Sequence, residues 1–261
     1  FHLGDQALQA VDLSGQRDLP PDRPRRRKPA AAWQPGDGRA ILGLGVVFII
    51  TTLYWIAQTQ VWNTYPLWIK GRVAHRLFGF EIPVTWFQSL DSLAVLALAP
   101  VVIWLWRRQA QLAKEPDDLA KIGIGCMAFA LACCELVAGE YFTGAGGVNV
   151  LWPILFHFIC AIGYLYVFPV ALALFSRAAP AAVNAMMAGV CYLALFAGSV
   201  TSGWLGRFYE VMTPGGFWLM HAVIAGTGAV LIFLLRTPLT RALGAGARAP
   251  FSAIIPLENN A

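Results

Sequence analysis

One carboxylic acid stands inside a long apolar run of this chain. Asp91 lies in the segment 82–106, among mostly Leu, Val, Ala, Ile and Trp residues. A carboxylate at the centre of a membrane costs roughly 3 kcal/mol on the lowest scales, so such residues usually face a bundle interior or a water-filled cavity. Asp91 therefore indicates solute or proton binding, and the structural alternative is a bond to a neighbouring helix.

The other ionisable residues of the apolar segments give weaker signals. Glu135 is expected to hydrogen-bond between helices, and Glu140, near a segment end, is expected to be hydrated. His157 and His221 are single histidines in their segments. An imidazole can relay protons at physiological pH, but the commoner role of a lone histidine here is a neutral hydrogen-bonded side chain.

Enzymatic chemistry finds little support in the sequence. Metal-ligand clusters, phosphate-binding loops and nucleophile–base pairs are not apparent. The five cysteines form no CxxC pair and are interpreted as small buried apolar residues. We therefore expect a protein that is not an enzyme and has neither cofactor nor metal.

The composition is typical of a membrane protein. Of 261 residues, 58% are hydrophobic and 13% are charged, whereas soluble domains are about 25% charged. A bilayer crossing needs about 20 apolar residues, and it must satisfy its own backbone hydrogen bonds, which predicts helices. The six predicted spans are 40–61, 83–106, 122–142, 150–175, 185–206 and 215–235. The expected fold is an all-α membrane bundle of six transmembrane helices.

Polar segments flank this bundle, which we place at 40–238. Residues 1–39 are predicted to be a linker and residues 239–261 a tail. Fifteen of the 19 Lys and Arg residues fall in these two segments, in 107–121 and at Arg177 and Arg236. The positive-inside rule then puts both termini in the cytoplasm of a cell inner membrane. The basic run 25–28 is expected to contact lipid headgroups rather than nucleic acid.

Two segments carry packing signals. Segment 65–80 mixes apolar and basic residues and is predicted to lie along the outer membrane surface as an amphipathic helix. Within 185–206, small residues recur every four positions, so they share one helix face. These are Ala194, Gly198, Ser202 and Gly206. The pattern predicts that another helix approaches this face closely.

Two stretches resemble a known transporter family. YWIAQTQVW, followed by FGFEIPVTWFQSLDSLAVLALAPVVIWLWRR, resembles the seventh and eighth helices of the proton-dependent oligopeptide transporters, a branch of the major facilitator superfamily. GYLYVFPVALALFSRAAPAAVNAMMAGVCYLALFAGS resembles that family's tenth and eleventh helices. The similarity spans about residues 45–235, and the chain begins at Phe1 rather than Met. We therefore expect a fragment, the C-terminal six-helix half of a twelve-helix transporter.

The resemblance implies proton-coupled symport of small peptides or peptide-like solutes by alternating access. The solute would bind near the membrane midplane, between two six-helix halves. The implied partners are small peptides, protons, the lipid bilayer and the N-terminal half, covalent or separate.

Three positions depart from the family pattern. The family's seventh helix usually carries a carboxylate soon after a Trp. No carboxylate follows Trp55 within five residues here. We expect the amides of Gln58 and Gln60 to hydrogen-bond across the cavity instead. Tyr164 stands where the tenth helix usually has the Glu that meets the peptide's amino group, and a phenol is neutral near pH 7. Cys191 replaces a Trp of the eleventh helix and leaves space.

Asp91 stands where the family's eighth helix usually has Asn. It lies about eight residues, or roughly 12 Å, into its helix. We expect it to supply the negative charge that Tyr164 lacks, by meeting a substrate ammonium, by carrying the coupling proton, or both. The substrate- or proton-binding residues that the resemblance implies are Asp91, Trp55, Gln58, Gln60, Tyr164, Cys191 and Leu195.

Two other classes of function remain open. The departures from the family pattern favour, to a degree, a non-transporting six-helix membrane protein, a partner or sensor derived from such a transporter. An upstream sequence with six more spans would favour transport. An intramembrane enzyme is least expected, because the sequence does not provide His or Asp residues at spacings that would face one another.

Overall fold

Among the residues that the structure describes, six long helices, one short helix and a small hairpin make up the fold. The computed structural model describes residues 33–74, 76–77, 79–143 and 147–244. In chain order the elements are α1 (Asp37–Gln58), α2 (Tyr65–Arg72), β1 (Arg76–Leu77), β2 (Phe80–Glu81), α3 (Val84–Gln111), α4 (Asp118–Tyr141), α5 (Leu151–Ala178), α6 (Asn184–Gly206) and α7 (Pro214–Leu243). Short 3-10 turns follow α1 at Thr59–Val61 and α6 at Arg207–Glu210.

All six predicted spans fall on the long helices, and the predicted all-α membrane fold is confirmed. Each of these helices is long and apolar enough to cross a membrane. The helices extend beyond the apolar segments, because a helix does not need apolar side chains once it leaves the hydrocarbon. Thus α7 continues to Leu243, inside the predicted tail 239–261. The predicted linker 1–39 lies mostly outside the described residues.

The two ends of the bundle differ in character. The basic end holds the start of α1, the α3–α4 and α5–α6 connections and the end of α7. The hairpin end holds α2, the antiparallel pair β1–β2 and the turn between α6 and α7. Consecutive long helices run in opposite directions between these two ends.

The helix α4 forms the centre of the bundle, where it packs most extensively against α7 and α5. The approach to α5 is close because glycines face it. A Cβ atom on Gly125 would lie 2.6 Å from Val167 Cγ2 and 2.9 Å from the Gly163 carbonyl oxygen. Such contact between helix backbones is the main source of packing energy where lipid surrounds the protein.

The predicted small-residue face of α6 is confirmed. Ala194 and Ser202 are fully buried, and a Cβ atom on Gly198 would lie 2.4 Å from Trp55 Cβ. Further along, a Cβ atom on Gly206 would lie 3.5 Å from Thr64 Cγ2. The seam therefore packs α6 against α1 and the turn that follows it.

The segment after α1 differs from its prediction. The helix α2 ends at Arg72, and Tyr65, Trp68 and Ile69 are buried in the bundle. Its amphipathic face packs against protein rather than lipid. Trp68 Nε1 donates to Glu140 Oε1 at 2.6 Å, and Arg72 Nη2 lies 2.6 Å from Glu140 Oε2. Glu140 was expected to be hydrated, but its side chain is only 8% exposed because these two donors cover it.

Ion pairs join three helices at the basic end. Asp117 Oδ1 accepts from the Ala120 backbone N–H and so caps α4, while Asp117 Oδ2 accepts from Arg236 Nε of α7 at 2.9 Å. Asp118 pairs with Arg177 of α5. The start of α4 is therefore tied to both helices against which it packs.

We predict that Gly198→Ala destabilises the protein by about 1–3 kcal/mol, because the new methyl group must push α6 away from the α1 backbone. Gly203→Ala on the same helix is the matched control, since a Cβ atom there meets nothing within 4 Å. Thermal unfolding in detergent measures both variants. Equal unfolding temperatures for the two variants would contradict the close α1–α6 contact.

We also predict that Glu140→Ala lowers stability by about 1–3 kcal/mol, because it leaves the buried Trp68 N–H without an acceptor. The Arg72 pair adds little, since Arg72 is 44% exposed and water screens exposed ion pairs. Arg72→Ala should therefore cost much less in the same unfolding assay. A larger loss in Arg72→Ala would show that the ion pair, rather than the Trp68 hydrogen bond, holds α2.

Candidate functional site

A cleft of about 670 Å³ opens between α1, α3, α5 and α6. Its wall combines aromatic rings, aliphatic side chains, hydroxyls, one amide and one carboxylate. The lining residues are Trp55, Gln58, Thr59, Trp62, Asp91, Ser92, Val95, Leu96, Tyr164, Phe168, Leu195 and Ser199. Most of these residues belong to helices that are long and apolar enough to cross a membrane, so a few polar groups stand there within a largely apolar lining.

Asp91 is the acidic residue of this wall. It stands seven residues after the start of α3, roughly 10 Å along the helix axis. Its side chain is 15% exposed. Asp91 Oδ1 lies 3.5 Å from His157 Nδ1 and accepts a weak hydrogen bond from Cys160 Sγ at 3.9 Å. The carboxylate is thus held from behind by α5 and reaches the cleft in front.

His157 lies beside Asp91 in the fold, a contact that the sequence did not predict. It is fully buried on α5, and the Tyr65 ring meets its ring edge-on at 5.1 Å. His157 and Cys160 are three residues apart, so both point from one face of α5 toward α3. The spacing of three residues could have indicated a shared face in the sequence. The partner of that face, Asp91 on α3, is evident only in the fold.

Two predicted aromatic residues meet at the cleft. Trp55 and Tyr164 form an edge-to-face pair with ring centroids 6.3 Å apart, and Phe168 lies against both at 5.7 Å and 5.5 Å. Tyr54 and Tyr166 point away into the core, against Phe129 and Trp106 respectively. The three rings give the cleft an apolar patch in the same wall as Asp91.

The polar groups of this wall are not equally available. The hydroxyls of Thr59 and Ser199 donate to backbone carbonyls one turn earlier on their own helices. Gln58 contributes an amide to the wall, and an amide can donate and accept at once. Gln58, Asp91 and the exposed Ser92 are therefore the polar groups of the wall that can meet a polar solute.

Gln60 does not line the cleft, contrary to the expectation that it bonds across the cavity. It is fully buried, its Nε2 donates to the Ser202 carbonyl oxygen at 2.8 Å, and its Oε1 accepts from Thr64. Residues two apart on a helix do not share a face, and the 3-10 turn Thr59–Val61 turns Gln60 toward α6. Cys191 is likewise buried and absent from the lining, whereas Leu195 belongs to it.

Two other ionisable residues lie away from the cleft. His221 Nδ1 contacts the Phe217 carbonyl oxygen at 2.9 Å, as expected for a structural histidine. Glu135 was expected to bond between helices. Within the described ranges neither of its carboxyl oxygens has a hydrogen-bond partner, although the side chain is buried.

Family and relatives follow from comparison with known proteins. A sequence model of the POT family matches residues 27–218. A peptide transporter of Yersinia enterocolitica is 28% identical over 206 residues, which cover 76% of this chain and 40% of that protein. A di-/tripeptide transporter of Lactococcus lactis is 21% identical over 203 residues, 76% of this chain and 40% of that protein. The chain thus spans about two fifths of the length of these relatives.

Solved structures show the same fold. A crystal structure of a peptide transporter POT in complex with sulfate superposes with a TM-score of 0.74 at 23% identity, over 83% of this chain and 43% of that one. A crystal structure of a POT family transporter in complex with 5-aminolevulinic acid superposes with a TM-score of 0.71 at 24% identity. The superposition covers 82% of this chain and 44% of that one. The resemblance found in the sequence is confirmed: the chain belongs to the POT family.

Proposed function

We propose that this chain supplies the C-terminal half of a proton-coupled symporter for small peptides or peptide-like solutes, which works by alternating access. The observation that carries the proposal is the Asp91 carboxylate on the wall of a cleft at membrane depth, in a member of the POT family. Charged residues in such positions mark solute and ion pathways.

Coverage and burial support a second half that completes the cleft. The chain spans about 40% of its relatives. Only 17% of the apolar window of α3 and 22% of that of α6 are buried within the chain, against 56% for α4. Both poorly buried helices contribute polar groups to the cleft, Asp91 and Ser199. Such a surface needs protein or water opposite it rather than lipid, which fits an N-terminal six-helix half, covalent or separate.

The chemistry of the wall suits a solute with an amino group and apolar side chains. Asp91 offers a negative charge to an ammonium group, and the Trp55 and Tyr164 rings offer apolar area. Named relatives transport di- and tripeptides, and one solved relative holds 5-aminolevulinic acid, which also carries an amino group. In our proposal Asp91 takes over the binding of the amino group, which Tyr164 cannot neutralise.

Orientation follows from charge. The basic end carries Arg39, Arg108, Arg177 and Arg241 among others, so the positive-inside rule places it in the cytoplasm. We accordingly propose a multi-pass protein of the cell inner membrane with both termini inside. Solute would enter from the hairpin end and leave at the basic end.

We predict that Asp91→Asn, made in the complete transporter, reduces proton-driven uptake of a labelled dipeptide into proteoliposomes by about tenfold or more. The estimate reflects a charge-assisted hydrogen bond of about 1.5–3 kcal/mol. Asn keeps the shape of the side chain but removes its charge.

Ser89→Ala is the matched control for this measurement. Ser89 lies on the same helix, is exposed, and donates to the Thr85 carbonyl oxygen of its own helix. It should leave uptake unchanged. Wild-type uptake by Asp91→Asn at an equal protein level would end the assignment of Asp91.

One observation favours the second candidate, a non-transporting membrane protein that acts as a partner or sensor. Tyr164 lines the cleft where the family resemblance implies a Glu, and the carboxylate that the resemblance implies soon after Trp55 is missing. A sensor would bind the dipeptide without moving it. Binding to the wild-type protein with no uptake and no counterflow would select this candidate over transport.

A further inference from the structure

The proposed function assigns no role to the buried His157. Its Nδ1 lies 3.5 Å from Asp91 Oδ1, and in the part of the chain that the structure describes neither ring nitrogen has a hydrogen bond. An N–H···O hydrogen bond spans about 2.7–3.2 Å. A slight approach of α3 and α5 would therefore convert this contact into a bond, and a charge on the imidazole would strengthen it.

The surroundings leave Asp91 as the natural counter-ion. The rings of Tyr65 and Phe156 lie 5.1 Å and 5.4 Å from the imidazole. A buried cation among such rings needs an anion beside it. Asp91 provides this anion and is also the group of the pair that reaches the cleft.

The titratable groups around the pair are chiefly phenols and thiols, which are neutral near pH 7. Those that interact electrostatically with Asp91 are Tyr54 on α1, Tyr65 on α2, and Cys160 and Tyr164 on α5. Further groups interact with these neighbours: Cys126, Cys133 and Glu135 on α4, and Tyr192 on α6. On α7, His221 is bonded to its own helix. Besides Asp91, Glu135 is the other carboxyl among these groups, and it interacts electrostatically with Tyr65.

We propose that Asp91 and His157 form one proton-binding pair that sets the charge of the cleft. With a neutral imidazole, the pair carries the negative charge of Asp91. With one more proton, the imidazolium balances the carboxylate and the pair is neutral. Asp91 thus has two alternative cationic partners, the imidazolium behind it and the solute's ammonium group in front of it.

Proton binding and ammonium binding at this pair therefore oppose each other. By linkage, each lowers the affinity for the other by the same factor. As the pH falls and the pair takes up one more proton, the affinity for a solute with a free amino group falls. The pair acts as a release switch for the amine. Because its proton opposes amine binding, it is not the proton that is taken up together with the amine.

The test measures the affinity of the complete transporter for alanyl-alanine and for N-acetyl-alanyl-alanine, by counterflow without a proton gradient. Between about pH 5 and pH 7 the peptide's own amino group stays protonated. In the wild type, the affinity for alanyl-alanine should rise about fivefold or more over this range. The affinity for the acetylated peptide should stay constant, because that peptide has no ammonium group.

The diagnostic variant is His157→Asn, whose amide N–H replaces Nδ1–H but does not titrate. It should abolish the rise in affinity with pH, and His157→Gln serves as a second non-titrating variant if the first does not fold. His221→Asn is the control, a histidine of another span whose Nδ1 contacts its own helix. It should keep the wild-type pH dependence.

This inference rests on the proposed function, in which Asp91 binds the amino group, and the outcomes separate the two. If Asp91→Asn loses the preference for a free amino group while a folded His157 variant keeps the wild-type pH dependence, the pair is refuted and the proposed function stands. If Asp91→Asn binds both peptides as the wild type does, the proposed binding of the amino group by Asp91 fails.

Discussion

A carboxylate in the membrane-spanning part of a chain persists only where protein groups and water replace its lost hydration. This constraint governs the arrangement of α3 and α5. The helix α3 makes most of its helix contacts with α5, and at that contact His157 and Cys160 face Asp91. The open side of the cleft supplies access for water or solute. Without α5 at this distance, Asp91 would stand against lipid on a poorly buried helix.

Glycine contacts make the required proximity possible. Gly125 and Gly163 bring the backbones of α4 and α5 together, and Gly198 does the same for α6 and the Trp55 backbone. The α4–α5 contact fixes α5, and the α1–α6 contact fixes Trp55 at the cleft. Lipid gives little hydrophobic driving force for helix association, so these close contacts determine which side chains meet. The geometry of the cleft wall is therefore set partly by glycines that do not line it.

The spans and the family were predictable from the sequence, because long apolar runs and motif order are local properties. Two features were not. The amphipathic pattern of 65–80 indicates one apolar face, but it does not indicate whether lipid or protein covers that face. In the fold the bundle buries Tyr65 and Trp68. His157 looked isolated because its partner lies 66 residues away along the chain, at 3.5 Å in space.

Gln60 shows a third kind of limit. Residues two apart on a helix lie on different faces, so helical spacing alone predicts that Gln58 and Gln60 point in different directions. The contact of Gln60 with Ser202 of α6 also depends on the 3-10 turn, which the sequence did not predict. Asp91, Trp55 and Tyr164 were found because the family resemblance supplied their register. Their proximity to one another is a property of the fold, and their roles in binding remain predictions.

The turn after α1 has a mechanical consequence. Ser202 on α6 accepts from Gln60 Nε2 through its carbonyl oxygen and from Asn63 Nδ2 through its hydroxyl. Two bonds to one residue fasten the far end of α1 to α6, so bending at this turn would break both. A hinge placed at this turn would therefore have to break both hydrogen bonds, which disfavours this end of α1 and α6 as a point of bending.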